Sequence, residues 1–218
     1  MNTEGQEAEA GAEEELAGLI SYAQERSFEI PVILDAKRGD VGSTATQYAK
    51  EAFERYAADA VTVNPYLGHE SLAPYFEYAD RGVIVLCRTS NPGSDWIQGI
   101  KVSGKPLYLS VAQQVHQWDE NDQCMLVTGA TYPEELGQVR ECVGDMPLLV
   151  PGVGAQGGDV KAVIKAGLDS SGAGLCISSS RGIIYAGSGP DFGEQAGRAA
   201  KLLRDQINSA RLLVGTAA

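Results

Sequence analysis

Positive charge is scarce in this sequence, and its scarcity excludes several functions before any motif is considered. The chain of 218 residues carries 17 lysines and arginines against 29 acidic residues, a net charge of −12. Nucleic acids and anionic membranes are bound by cationic surfaces, so we expect neither as a partner, although one local anion pocket is compatible with this balance. Residues 1–25 contain no Lys or Arg at all, and we therefore expect no signal or transit peptide.

Long apolar runs and metal-ligand patterns are missing as well. No apolar segment approaches the roughly 18 residues of a spanning helix, so we expect no membrane span. The two histidines, His69 and His116, are far apart in the sequence, and no CxxC spacing occurs, so we expect no metal centre. We expect free, buried thiols in a reducing cytoplasm. The cysteines concerned are Cys87, Cys124, Cys142 and Cys176.

The sequence does contain a regular alternation of short apolar runs and longer amphipathic stretches. The runs are nearly continuous, as in parallel strands covered on both faces, and helical patterns lie between them, so the fold class is α/β. The six runs are Pro31–Asp35, Ala60–Asn64, Val83–Arg88, Cys124–Thr128, Leu148–Pro151 and Gly174–Ser178. Their even spacing favours a TIM-type (β/α)8 barrel over a doubly wound sheet. We expect one domain over residues 1–218, with a disordered or frayed acidic segment at 1–10.

The fifth run leads into a glycine-rich segment, "LLVPGVGAQGGD", at residues 148–159. Glycines let backbone N–H groups approach an anion, and a following helix N-terminus favours negative charge. Arg181, just after the sixth run, can grip a phosphate with two hydrogen bonds. Two other interpretations stay open. Residues 152–157 match the dinucleotide fingerprint GxGxxG, which belongs in a first βα unit rather than a fifth, and the glycines can simply make tight turns.

Barrel enzymes frequently bind phosphate in the loops after strands seven and eight. If the last two runs are those strands, the run at residue 31 is the third, and two strands of a closed barrel are not among the six. The run at residue 31 leads into "ILDAKRGD", where Asp35 and Lys37 are two residues apart and share one face of a strand. Asp40 follows in a glycine-flanked turn. The alternative is an ordinary salt bridge at the barrel rim.

Five motifs in order carry a resemblance to a known family: "DAKRGDVGST", "TVNPYLG", "RTSNPGS", "PGVGAQGG" and "SSSRGIIYA". Together they resemble orotidine 5'-phosphate decarboxylase, in its longer bacterial and actinobacterial branch, from about Gly11 to Leu213. The resemblance implies a βα-barrel that works as a homodimer with shared active sites. It also implies that the substrate is orotidine 5'-phosphate, that the products are UMP and carbon dioxide, and that neither a metal nor an organic cofactor is needed.

The resemblance also implies roles for individual residues. Lys37 would donate the proton to C6 of the pyrimidine, and Asp35 would lie against the departing carboxylate. Asp40, with Thr44 nearby, would reach into the site of the partner subunit, and Ser90 would hydrogen-bond the pyrimidine. The residues implied to hold the phosphate are Pro151, Gly152, Gly154, Gln156, Arg181 and Gly182.

One part of the family pattern is not matched. The family takes a ribose-binding Asp from strand one and a second Lys from strand two, whereas Asp35 and Lys37 are the first residues of their types here. We therefore expect the sequence to begin just after strand two. Two alternatives remain: a related magnesium-dependent enzyme acting on a sugar phosphate (a ketogulonate-phosphate decarboxylase or hexulose-phosphate synthase), or an inactive remnant that only binds phosphate ligands.

Overall fold

Each of the six apolar runs forms a strand in a computed structural model of the chain, which describes residues 3–26, 30–153 and 158–215. The chain divides into two units, the first ending at Ile84 and the second beginning at Val85. Strand β3 crosses this boundary. Our expectation of one domain over residues 1–218 stays a prediction.

The first unit alternates helices and strands. A five-residue π-helical turn, Glu51–Arg55, extends α2, and a 3-10 turn, Pro65–Leu67, precedes α3. The elements of this unit are α1 (Thr3–Gln24), β1 (Ile33–Arg38), α2 (Gly42–Lys50), β2 (Ala60–Val63), α3 (His69–Phe76) and the start of β3 (Gly82–Arg88).

Strands β1 and β2 are parallel, with Ile33 opposite Ala60 and Leu34 opposite Val61. Beta-branched side chains pack well on a pleated surface, and every residue of β2 is buried. The apolar faces of α2 and α3 form the core with them. The buried side chains of this unit include Ala45, Ala49, Phe53, Val61, Val63, Leu72 and Tyr75.

The second unit continues the alternation from the end of β3. A 3-10 turn, Pro92–Ser94, comes directly before α4. The elements are α4 (Asp95–Gln98), β4 (Lys101–Val102), β5 (Lys105–Pro106), α5 (Leu107–Trp118), β6 (Cys124–Thr128), α6 (Pro133–Val143), β7 (Leu148–Pro151), α7 (Val160–Gly167), β8 (Leu175–Ser178), α8 (Ser180–Ile184) and α9 (Phe192–Gly215).

Strands β6, β7 and β8 pair in parallel and in chain order. Helix α6 begins with Pro133, which suits a first helical turn, and buries Leu136, Val139 and Val143, the stripe expected from helical spacing. Helix α7 is capped by Asp159, whose carboxylate accepts the N–H of Lys161 at 2.9 Å. Because parallel strands end at the same edge, the loops after β7 and β8 lie side by side.

Between β3 and α5, residues 89–106 contain α4 and a two-stranded β4–β5 hairpin. The structure corrects two expectations. Strand β1 runs to Arg38 rather than ending at Asp35. In addition, not all thiols are buried: all four cysteines are free, but Cys142 is half-buried and Cys176 is exposed. Among the described strands, β8 pairs only with β7, so Cys176 lies on an edge strand.

No described helix combines the length and the apolar character that crossing a membrane requires. Helix α1 begins at Thr3, within the segment that we expected to be frayed. Fraying of residues 1–10 stays a prediction, which amide hydrogen exchange along α1 would test.

Candidate active site

The first cluster of predicted site residues lies on β1. The ammonium nitrogen of Lys37 is 2.7 Å from Oδ2 of Asp35, and both side chains are at least half exposed. The two side chains therefore meet, as their spacing predicted. An exposed ion pair adds little to stability, because water solvates both charges well. Because both charges are exposed, this pair can contact a ligand that binds next to it.

Thr62 of β2 fixes this pair by two hydrogen bonds. Its hydroxyl donates to Oδ1 of Asp35 at 2.9 Å and accepts the backbone N–H of Lys37, also at 2.9 Å. Lys37 has a φ of 49°, which residues other than glycine rarely adopt. The strand register shifts here, because β1 advances four residues from Leu34 to Arg38 while β2 advances only two, from Val61 to Val63. This irregularity is a β-bulge, and within it the Thr62 hydroxyl accepts a backbone N–H in place of a carbonyl of β2.

The turn after β1 positions Asp40 and the start of α2. Asp40 accepts the N–H of Val41 at 2.8 Å, and within the described residues its carboxylate forms no ion pair. Thr44 is exposed on the first turn of α2. Arg38 fixes this helix, because its guanidinium binds Glu51 at 2.6 Å and lies 4.4 Å from the ring centre of Tyr48.

Ser90 lies in the second unit, two residues after β3. Its carbonyl accepts the hydroxyl of Thr131 at 3.3 Å. A Cβ atom at Gly129 would come within 2.8 Å of the Ser90 backbone, so only glycine allows this close approach of the two loops. The Ser90 loop is thus held against the loop that follows β6.

The predicted phosphate residues meet at the ends of β7 and β8. Pro151 is paired with Ser178, and residues 151–153 and 178–181, Arg181 among them, line a cavity of about 90 Å³. Gly152 has a φ of 96°, which favours glycine. The Ser179 hydroxyl donates to the carbonyl of Val153 at 3.2 Å and ties the two loops together.

Of the remaining residues predicted to bind phosphate, the structure describes only Gly182. Gly182 follows Arg181 in α8, where an added Cβ would come 2.8 Å from the Ser179 hydroxyl. Gly154 and Gln156 lie outside the described residues. Among the described residues, no three side chains of His, Cys, Asp or Glu come together as metal ligands would.

Comparison with known proteins identifies the family. A family model described as the orotidine 5'-phosphate decarboxylase / HUMPS family matches residues 5–193. The chain belongs to this family. Two relatives named orotidine 5'-phosphate decarboxylase are highly similar. The protein from Janthinobacterium sp. (strain Marseille) is 59% identical over 90% of this chain and 73% of its own length. That from Ralstonia pickettii (strain 12J) is 57% identical over 92% and 74%.

A solved structure gives the same result. The structure of Leishmania donovani OMP decarboxylase has a TM-score of 0.80 and 39% identity, covering 90% of this chain and 74% of that one. The likeness confirms the fold class predicted from the sequence, a TIM-type (β/α)8 barrel with about six βα units present. The family predicted from the five motifs is therefore confirmed.

The structure of the present chain also shows two polar residues that the sequence analysis missed. Thr62 is fully buried and binds both Asp35 and Lys37. Arg88 is buried at the end of β3 and binds Glu135. A signal existed for both, because a polar residue within or at the end of a buried apolar strand must find a hydrogen-bond partner. Which partner it finds cannot be deduced from spacing.

Proposed function

We propose that this protein is an orotidine 5'-phosphate decarboxylase, which converts orotidine 5'-phosphate to UMP and carbon dioxide in pyrimidine biosynthesis. The observation that carries the proposal is the exposed Lys37–Asp35 pair, 2.7 Å apart, in a chain that is 59% identical to a relative of that name. Such a pair supplies the fixed cation that this chemistry requires.

Lys37 is the proton donor in this mechanism. Loss of carbon dioxide breaks the bond between C6 and the carboxyl carbon and leaves the electron pair on C6, with no cofactor to accept it. A cation held in place before the reaction stabilises this developing charge better than mobile water would. The ammonium of Lys37 then transfers its proton to C6 to give UMP. Asp35 orients the ammonium and lies against the departing carboxylate.

The other residues bind the parts of the substrate that do not react. Ser90 hydrogen-bonds the pyrimidine. Arg181 binds the phosphate with the backbone of the glycine loop, a geometry suited to a guanidinium. Binding energy from the distant phosphate supports the chemistry at C6 by holding the substrate in the reactive position. The residues assigned to the phosphate are Pro151, Gly152, Gly154, Gln156, Arg181 and Gly182.

Turnover without a metal is the first expected result. The protein should consume orotidine 5'-phosphate at the same rate with and without EDTA, because the ammonium of Lys37, and not a metal ion, supplies the positive charge. The measurement is the loss of the orotate absorbance. An absolute requirement for magnesium would instead favour a sugar-phosphate enzyme, and UMP binding without turnover would favour a phosphate-binding protein.

We also propose a homodimer in which Asp40, with Thr44 nearby, completes the site of the partner subunit. Lys37→Ala and Asp40→Asn should each be inactive alone. Mixing them under conditions of subunit exchange should restore about one quarter of the unmodified activity, because about half of the dimers are then mixed and each mixed dimer has one intact site. If Asp40 acted within its own subunit, mixing would restore nothing.

The proposed location is the cytoplasm. All four cysteines of the chain are free, as is usual for proteins of a reducing compartment. Fractionation of cells with an antibody against the protein would test this location.

A further inference from the structure

The loop that carries Ser90 is closed by its own hydrogen bonds. The backbone N–H of Thr89 donates to Oε1 of Gln98 at 2.9 Å, and the Thr89 hydroxyl donates to Oδ1 of Asn91 at 2.7 Å. The Ser94 hydroxyl donates back to the carbonyl of Thr89 at 3.2 Å. Residues 89–98 therefore form a defined turn whose orientation depends on what anchors it to the rest of the second unit.

Arg88 anchors this turn, because it directly precedes Thr89 and its side chain contacts the middle of the turn. It is the last residue of β3, and its side chain is only 1% exposed. One guanidinium nitrogen donates to the Ser94 hydroxyl at 2.8 Å, and another contacts Oδ1 of Asp95 at 3.3 Å. The backbone carbonyl of Arg88 accepts the N–H of Gly129 at 2.7 Å. Side chain and backbone of one residue thus hold the turn against the loop after β6.

The same guanidinium is fixed from the side of α6. Its Nε donates to Glu135, and a second nitrogen contacts the other carboxylate oxygen at 3.3 Å. The rings of Tyr132 and Tyr108 lie 4.3 and 5.7 Å from its central carbon. Burial opposes the charged form, but the hydrogen bond to Glu135 and the negative charges of Glu135 and Asp95 together outweigh it and leave the pKa of Arg88 above its usual value. The guanidinium is therefore charged and held in one orientation.

Stability alone does not explain this arrangement. Burying a charged group costs solvation energy, and a well-packed apolar side chain often serves a core equally well. A planar guanidinium, in contrast, fixes several partners in defined directions at once, which a lysine or an apolar residue cannot do. The directions fixed here are those of the turn that begins at Thr89 and includes Ser90.

We propose that Arg88 is a positioning residue for pyrimidine recognition: through Ser94, Asp95 and Glu135 it fixes the turn that presents Ser90 to the base. The inference rests on the proposed function, because Ser90 is assigned to the pyrimidine there. It predicts that Arg88 acts on the binding of the base and leaves the binding of the phosphate alone.

Two ligands separate these effects. UMP carries base, sugar and phosphate, whereas ribose 5-phosphate lacks the base. In Arg88→Lys, which keeps the charge but loses the planar fork, we expect UMP affinity to fall by roughly tenfold or more, the scale of one lost charged hydrogen bond. Affinity for ribose 5-phosphate should stay within about twofold, since the substitution does not touch the loops after β7 and β8, to which we assign the phosphate. Amide exchange of residues 89–98 should become faster without any ligand.

Glu135→Gln is the milder variant, because it preserves the shape of the side chain and removes its charge. It should change both readouts in the same direction and by less. Arg140→Lys is the matched control, since Arg140 is also a buried arginine but contacts the carbonyls of Met146 and Gly174, which precede β7 and β8. It should lower the melting temperature and leave the ratio of the two affinities unchanged.

The outcomes distinguish the two proposals. If the unmodified protein does not bind UMP, the proposed function is wrong, and the exchange of residues 89–98 in Arg88→Lys still decides whether Arg88 anchors the turn. If the protein binds UMP but both variants of the Arg88 network keep the same affinity ratio and the same exchange, the positioning role is wrong. An equal loss of both ligands would likewise show a purely structural role.

Discussion

Replacing Lys37 with alanine should abolish decarboxylation while leaving UMP bound almost as tightly as before. The substitution removes a general acid, worth about 10²–10⁴-fold in rate, together with a fixed cation of about 10²–10³-fold. We therefore expect kcat to fall by at least about 10⁴-fold. Alanine and lysine both carry a Cβ atom, so the backbone at φ 49° is no more strained in the variant. Single-turnover kinetics and UMP titration provide the measurements.

Arg181→Ala is the matched control for this prediction. Arg181 lies by the cavity at the ends of β7 and β8 and is assigned to the phosphate. Its loss should weaken phosphate-bearing ligands by about 1.5–3 kcal/mol, the usual range for a charged hydrogen bond, and should leave the weak binding of uridine unchanged. The two variants thus fail in opposite ways. Near-normal turnover of Lys37→Ala would show that the catalytic assignment is wrong.

The second large effect concerns stability rather than catalysis. Arg140 of α6 is buried and donates four hydrogen bonds, at 2.5–3.1 Å, to backbone carbonyls. Burial lowers its pKa, and Asp169 and Asp145 oppose this effect. The four carbonyls that it joins lie at the ends of α6 and α7 and just before β7 and β8, on Gly144, Met146, Gly167 and Gly174.

Arg140→Met should therefore destabilise the protein strongly. The methionine fills most of the space but leaves these carbonyls without their donor, and each buried acceptor left unpaired costs about 1–3 kcal/mol. We expect the free energy of unfolding to fall by at least about 3 kcal/mol. At about 2–4 °C per kcal/mol for a chain of this length, a loss of about 3 kcal/mol lowers the melting temperature by about 6–12 °C, which is the smallest fall that we expect.

Arg211→Met controls for the loss of an arginine as such. Arg211 is exposed and donates one hydrogen bond, to the carbonyl of Gly172 at 3.0 Å. Substitutions at exposed positions usually change stability by less than about 0.5 kcal/mol, so its melting temperature should stay within about 2 °C. If the melting temperature of Arg140→Met fell no further than that of Arg211→Met, the four hydrogen bonds would not be the stabilising contacts that we assign.

The local features of this protein follow from the sequence by short-range rules. Continuous apolar runs become parallel strands because both faces of such a strand are covered, and five of the six runs were located to within one residue at either end. Asp35 and Lys37 were expected to meet because they are two residues apart on a strand, and their side chains do form an ion pair. The motifs, read in order, were sufficient to indicate the family.

The distribution of contacts among distant residues was decided only by the tertiary structure. Thr62 is 25 residues from Lys37 along the chain and Glu135 is 47 from Arg88, and no periodicity links positions so far apart. The bulge that extends β1 depends on the hydroxyl that β2 places beside it. Cys176 is exposed although it lies within an apolar run, on a strand with one neighbour among the described strands. A sequence specifies which side chains require partners, whereas the packing of strands and helices determines which partners they obtain.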